Sequence, residues 1–105
     1  MIGEATDYQL ILAFVAHPQW FVRMRAAQAL GRCGDQVEAG VLETLLCDTN
    51  WYTRYHAARA ILAVPALGAQ HLEGLKTTCN DRFGRDIATH ALAELEAPAV
   101  RGGTR

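Results

Sequence analysis

Displaced by 31 positions, the sequence aligns with itself without gaps: Trp20-Phe21-Val22-Arg23 lies over Trp51-Tyr52-Thr53-Arg54 and over Arg82-Phe83-Gly84-Arg85. Ala26, Ala57 and Ala88 then coincide, as do Ala29, Ala60 and Ala91, and Leu30, Ile61 and Leu92. The preceding halves agree only by type, with Leu10, Val41 and Leu72 in one column. A period of this length is the mark of a stacked array, in which each unit is one supersecondary element too small to bury its own apolar face. Three copies are about the minimum for such a stack to be stable.

The residue pattern makes each unit a pair of helices. Val22, Ala26, Ala29, Leu30 and Cys33 fall on one helical stripe, and the alanines on it allow close approach of a neighbour. Thr6 and Gln9 form a capping-box pattern that opens the first helix, which His17-Pro18 should end. The second helix is expected over about Gln19 to Arg32, with Gly31 or Gly34 as a left-handed cap. Asp35 and Glu38 make the next capping box, for a helix reaching about Cys47. Asn50 or Thr49 should cap a helix running to about Ala63, which Pro65 stops. A fifth helix is expected over roughly Ala69 to Thr78, and a sixth capped by Asn80 and fading near Glu96. These elements place one all-α domain over residues 5–96, in units of about 5–34, 35–65 and 66–96. Residues 97–105, with Gly-Gly and no periodicity, read as a flexible tail.

With 105 residues, half of them apolar and a fifth charged, the composition is that of an ordinary globular domain. The formal net charge of −1 predicts no bulk attraction to nucleic acid or anionic membrane. Cys33, Cys47 and Cys79 are odd in number and lack a C-x-x-C spacing, which fits reduced, mostly buried thiols. The start Met-Ile-Gly-Glu-Ala-Thr-Asp has no basic segment of a secretory signal, and the apolar run Leu10 to Ala16 is too short to span a bilayer. A cytoplasmic location is the resulting expectation.

The segment HPQWFVRMRAAQALG and its echo DTNWYTRYHAARAIL resemble the second-helix signature of HEAT-like repeats, closest to the short bacterial type of phycobilisome-lyase-like proteins. The resemblance covers about residues 6 to 96 and implies a right-handed α-α superhelix of three two-helix repeats, with the second helices lining its concave face. It also implies a ladder, in which an Asp six residues ahead of the second-helix Arg joins it along the solenoid. Asp48 stands so before Arg54, whereas His17 and Cys79 hold the matching positions before Arg23 and Arg85. The ladder is therefore expected to be incomplete, with Arg23, Arg54 and Arg85 in structural roles.

Catalytic and cofactor motifs are missing. His17, Asp48 and Cys79 share a column, but neighbouring repeats lie roughly a helix diameter apart, about 10 Å, too far to converge on one metal ion. None of His17, His56, His71 and His90 is followed by Glu, which sets aside the iron-binding His-Glu pairs of HEAT-like hydroxylases. There is no nucleophile elbow, phosphate-cradling loop or H-E-x-x-H. Asp81 and Asp86 read as first-turn acids favoured by the helix dipole. The expectation is a chain with no catalytic, metal or cofactor site.

What remains is a surface. Trp20, Phe21, Trp51, Tyr52, Tyr55 and Phe83 gather at the starts of the second helices, which also carry Arg23, Arg25, Arg32, Arg54, Arg59, Arg82 and Arg85. The first helices and their caps are acidic. Phe21, Tyr52 and Phe83 are expected to be the more buried members of this band, and Trp20, Trp51, Met24 and Tyr55 the more exposed. A partner-binding face is then predicted from Trp20, Met24, Arg25, Trp51, Tyr55, His56, Arg59, Arg82 and His90. The leading expectation is an acidic or amphipathic segment of a protein. Nucleic acid on the same face is the second, and a subunit of a larger assembly such as a bilin lyase the third. The first helix is apolar nearly all round, so Leu10, Ile11, Phe14 and Val15 are expected to form a homodimer or docking contact. The other end, with Thr89, His90, Glu94 and Glu96, reads as better capped.

Overall fold

A computed structural model describes residues 4–96, and the tail expected to be flexible lies outside them. The described chain holds six α-helices and no strand: α1 (Glu4–Leu12), α2 (Trp20–Leu30), α3 (Ala39–Leu46), α4 (Trp51–Ala63), α5 (Gly68–Thr78) and α6 (Arg82–Glu96). The even helices begin at positions 20, 51 and 82, so the 31-residue register of the sequence is also the register of the fold. Each even helix packs on the odd helix before it, and α2, α4 and α6 form a row with α4 in the middle.

The core is the inward stripe of that row closed by the odd helices. Ala27, Leu30, Ala57, Ala58, Ile61, Ala88 and Ala91 meet Leu42, Leu45, Leu46 and Leu72. Burial of each large aliphatic side chain contributes roughly 1.5–3 kcal/mol. The alanines permit close approach, and so does Gly31: a Cβ there would come within 3.2 Å of the Ala60 Cα. Gly31 is thus a packing residue, while Gly34, at φ 68°, is the one in the left-handed region.

Several local expectations need correction. Thr6, expected to precede the first helix as its cap, lies inside α1. The first helix stops at Leu12, and residues up to His17 continue as turns with bonds such as Phe14 N–H to Ile11 O at 2.9 Å. Asp35 falls in a 3₁₀ turn (Gly34–Gln36), and Glu38 precedes α3 without a side-chain cap, its own N–H donating instead to Tyr8 Oη at 3.2 Å. Asn50 does cap α4, its Oδ1 accepting from the N–H groups of Tyr52 and Thr53. Before α6 the acceptor is Asp81, not Asn80: its Oδ1 takes the Phe83 N–H at 2.7 Å. Asp81 is the residue in register with Asn50, which explains the difference.

The ladder differs in its wiring. Each conserved-register Arg donates to a main-chain carbonyl six residues earlier: Arg23 to His17 O, Arg54 to Asp48 O and Arg85 to Cys79 O, at 2.8, 2.8 and 2.9 Å. This rung needs only a backbone and survives in all three repeats. The Asp48 carboxylate serves the preceding repeat instead, accepting Arg23 Nε at 2.6 Å and Nη2 at 2.9 Å. Burial opposes ionisation of Asp48, but the Arg23 hydrogen bonds, the Asn50 N–H and the charges of Arg23 and Arg54 together hold its carboxyl below the usual range. Hydrogen bonding to Asp48 in turn raises the pKa of Arg23. At the next junction Cys79 stands in the column of Asp48, and the buried Arg54 Nε has no acceptor among the described residues. Its guanidinium lies over the Phe83 ring at 4.8 Å.

Candidate interaction surface

Rings along the starts of α2 and α4 form one connected band, which His90, midway along α6, joins to the third repeat. Phe21 meets Trp20 edge-on at 5.9 Å, Trp20 stacks on Tyr52 at 5.9 Å, and Tyr52 meets Trp51 edge-on at 5.4 Å. Trp51 then stacks on Tyr55 at 5.1 Å with 10° between the planes, and both meet the His90 ring, at 5.5 and 5.9 Å. Trp20 and Trp51 thus share a face. Such edge-to-face and offset contacts hold exposed rings in fixed places without burying them.

The division of labour within the band is the reverse of the expectation. Phe21, Tyr52 and Phe83 are 49%, 55% and 54% exposed, against 39% and 41% for Trp20 and Trp51. Helix geometry explains this. In α4 the buried stripe contains Arg54, Ala57, Ala58 and Ile61. At about 100° per residue, position 52 lies on the far side of the helix from that stripe, and position 51 at its edge. Both members of each pair therefore face outward. Tyr55 and Met24, in matching positions of successive repeats, are half-buried.

Charge along the band changes from one end to the other. Arg25 is exposed on α2, and Arg59 donates to Tyr55 Oη at 3.2 Å while lying 5.7 Å from that ring. In the third repeat the bases are answered locally. Arg82 Nε lies 3.7 Å from Asp86, and His90 Nε2 lies 3.5 Å from Glu94, which also accepts Tyr55 Oη at 2.6 Å. Arg82 and His90, expected to face a ligand, are thereby partly neutralised by their own helix. The uncommitted positive charge belongs to the first two repeats.

There it borders a cleft of about 470 Å³ between α2 and α4, lined by Gln28, Gly31, Arg32, His56, Arg59, Ala60 and Ala63. Burial, and secondarily the charge of Arg59, lowers the pKa of His56 from its usual value, so its ring is neutral near pH 7. Gln28 Nε2 reaches His56 Nδ1 at 3.5 Å. Arg32, one of the second-helix arginines but outside the predicted partner-binding set, follows Arg25 and Gln28 on one side of the helix at spacings of three and four.

At the N-terminal end, Leu10 and Phe14 are exposed, at 60% and 47%, whereas Ile11 and Val15 pack against the core. The contact expected of these four residues is therefore half taken up inside the molecule. Leu95 is 54% exposed near the opposite end, which is less polar than its sequence suggests.

Helix pairs in register, joined from one pair to the next by side chains such as Arg23 and Asp48, define an α-helical solenoid. The chain belongs to the HEAT repeat family, whose sequence model matches residues 8–93. No curated protein and no solved structure gives a significant match. HEAT repeats generally mediate protein interactions as non-enzymatic scaffolds. Among the described residues, no helix is long and apolar enough to cross a membrane.

Proposed function

We propose that this chain is a protein-binding module that holds an acidic, amphipathic segment of its partner across the ring band and the adjoining cleft. The carrying observation is the pairing of two surfaces: a connected row of exposed rings, and beside it a cleft edged by Arg32 and Arg59. Rings fixed by one another present apolar area at low entropic cost, which suits a recognition surface. The two arginines supply the charge complementarity that selects acidic over basic segments. The net charge of −1 and the local acids of the third repeat argue against a nucleic-acid backbone as the ligand.

The test is a selection from a random peptide library, followed by mapping of the selected peptide with amide hydrogen exchange. Enriched Asp or Glu beside apolar residues, with protection in α2 and α4, is the expected result. Enrichment without acidic bias, or protection confined to α1, α3 and α5, overturns it. Titration with single- and double-stranded DNA at low salt accompanies the selection, and saturable binding there at low micromolar protein favours a nucleic-acid ligand instead.

A further inference from the structure

Three departures from the repeat pattern meet at one point. Gly84 stands where the other repeats have Val22 and Thr53, Cys79 where they have His17 and Asp48, and Cys47 where they have Ala16 and Thr78. In the structure Cys47 Sγ and Cys79 Sγ are 3.6 Å apart. A Cβ on residue 84 would come within 2.6 Å of Cys79 Sγ and 3.1 Å of Cys47 Sγ. The missing side chain at Gly84 is what makes room for the two sulfurs. Both thiols are half-buried and line an open cleft of about 1040 Å³ on the α3–α5 side, away from the ring band.

Packing alone accounts poorly for this arrangement. Cys79 offers Arg54 no carboxylate of the kind that Asp48 offers Arg23, and the buried Arg54 Nε has no acceptor among the described residues. Two thiols in contact, reached through an open cleft, form a pair that a small oxidant can enter and convert.

We propose that Cys47 and Cys79 form a reversible oxidation site whose substrate is a peroxide and whose product is a disulfide joining the second and third repeats. In the first step one sulfur, as thiolate, attacks a peroxide oxygen and breaks the O–O bond. That sulfur becomes a sulfenic acid, and hydrogen peroxide leaves one oxygen as water. In the second step the other sulfur attacks the sulfenic sulfur, the S–O bond breaks, and a second water departs with the thiol proton. Two electrons pass from the thiol pair to the peroxide, and a dithiol reductant returns them by exchange. Burial, then the hydrogen bond and charge of Cys79 and the acids Asp81 and Glu43, push the Cys47 thiol up to about 12. The sulfurs must close from 3.6 Å to a bond of about 2.05 Å.

The site is independent of the binding face, and its test reads sulfur chemistry directly. The full chain is treated with a small excess of hydrogen peroxide, and thiols are counted after denaturation. The expected result is loss of two of the three thiols, a mass lower by about 2 Da, and a cross-link between the tryptic peptides 33–54 and 77–82 that fragmentation assigns to Cys47 and Cys79. Dithiothreitol restores all three. The Cys33→Ser variant behaves the same, while Cys79→Ser forms no intramolecular disulfide. Gly84→Ala keeps the thiols but slows the link several-fold, because its Cβ must displace them. The oxidised protein melts several degrees higher, since a cross-link spanning 32 positions restricts the unfolded chain. Single oxygen adducts without a link, disulfides between molecules, or a link through Cys33 would each overturn the proposal, provided circular dichroism shows native helicity.

Discussion

Arg23, in the first repeat, grips both carboxylate oxygens of Asp48, in the second, at 2.6 and 2.9 Å. The pair is largely shielded, with side-chain exposures of 16% and 10%, and its two-pronged geometry suits guanidinium and carboxylate. It joins the first repeat to the second, and its loss leaves Arg23 with only main-chain acceptors among the described residues.

Asp48→Asn should destabilise the protein by about 2–3 kcal/mol, the range for hydrogen bonds to charged groups. The effect is pH-dependent with a definite sign. Because the folded carboxyl is held below its unfolded value of about 3.9, the unfolded chain binds the proton first on acidification. The stability from this pair is complete above about pH 4 and is lost as pH falls through the folded value. Urea midpoints measured from pH 7 down to pH 2.5 should show the wild-type advantage vanishing at the acid end.

The second junction lacks that rung, so restoring it should strengthen the stack. Cys79→Asp places a carboxylate in the column of Asp48, where the Arg54 Nε has no acceptor among the described residues. A gain of about 1–2 kcal/mol is expected, read as a rise in melting temperature of the reduced protein. A fall in melting temperature would show that the space beside Gly84 holds sulfur but not a hydrated acid.

Two glycines in helical surroundings should respond in opposite directions. Gly74, inside α5, has open space around an added Cβ, and Gly74→Ala should stabilise by up to about 1 kcal/mol through helix propensity. Gly31→Ala gains no such benefit, because its Cβ would press on the Ala60 backbone at 3.2 Å and push α2 from α4. Thermal melts of the two variants give the comparison.

His56 should titrate against folding. Burial and Arg59 depress its folded pKa below the unfolded value of about 6.5, so its neutral form contributes stability that is fully present above about pH 6.5. That contribution is lost as pH falls through the lower folded value. His56→Gln should flatten the stability profile between pH 7.5 and 5.5. An acidic ligand in the cleft favours the protonated ring, so its affinity should rise over the same interval as pH falls.

Much of this was legible in the chain because the register is strict. Arg23, Arg54 and Arg85 fall in one column and make the same main-chain bond in each repeat. The register also marks Asp81, in line with Asn50, as the cap of α6, in place of the neighbouring Asn80. Other features needed the stacking. Asp48 is six residues from Arg54 in sequence, yet its carboxylate bonds Arg23 of the neighbouring repeat. The exposure of Tyr52 follows from its angle to the Ala57–Ala58 stripe, which adjacency to Trp51 in the sequence does not convey. Cys47 and Cys79 are one register length plus one apart, so their meeting depends on how a turn hands one repeat to the next.

The two tryptophans of the chain, Trp20 and Trp51, both lie in the ring band, so indole emission reports directly on the face proposed to bind. The decisive measurement is a fluorescence titration at low salt with the acidic amphipathic peptide recovered by selection, beside the same peptide carrying Asn and Gln in place of its acids. A saturable emission change with the acidic peptide, weakened roughly tenfold or more by Arg59→Ala and by the neutral replacements, is the predicted result. An emission that stays constant to high micromolar peptide, or a change indifferent to both substitutions, would contradict the account.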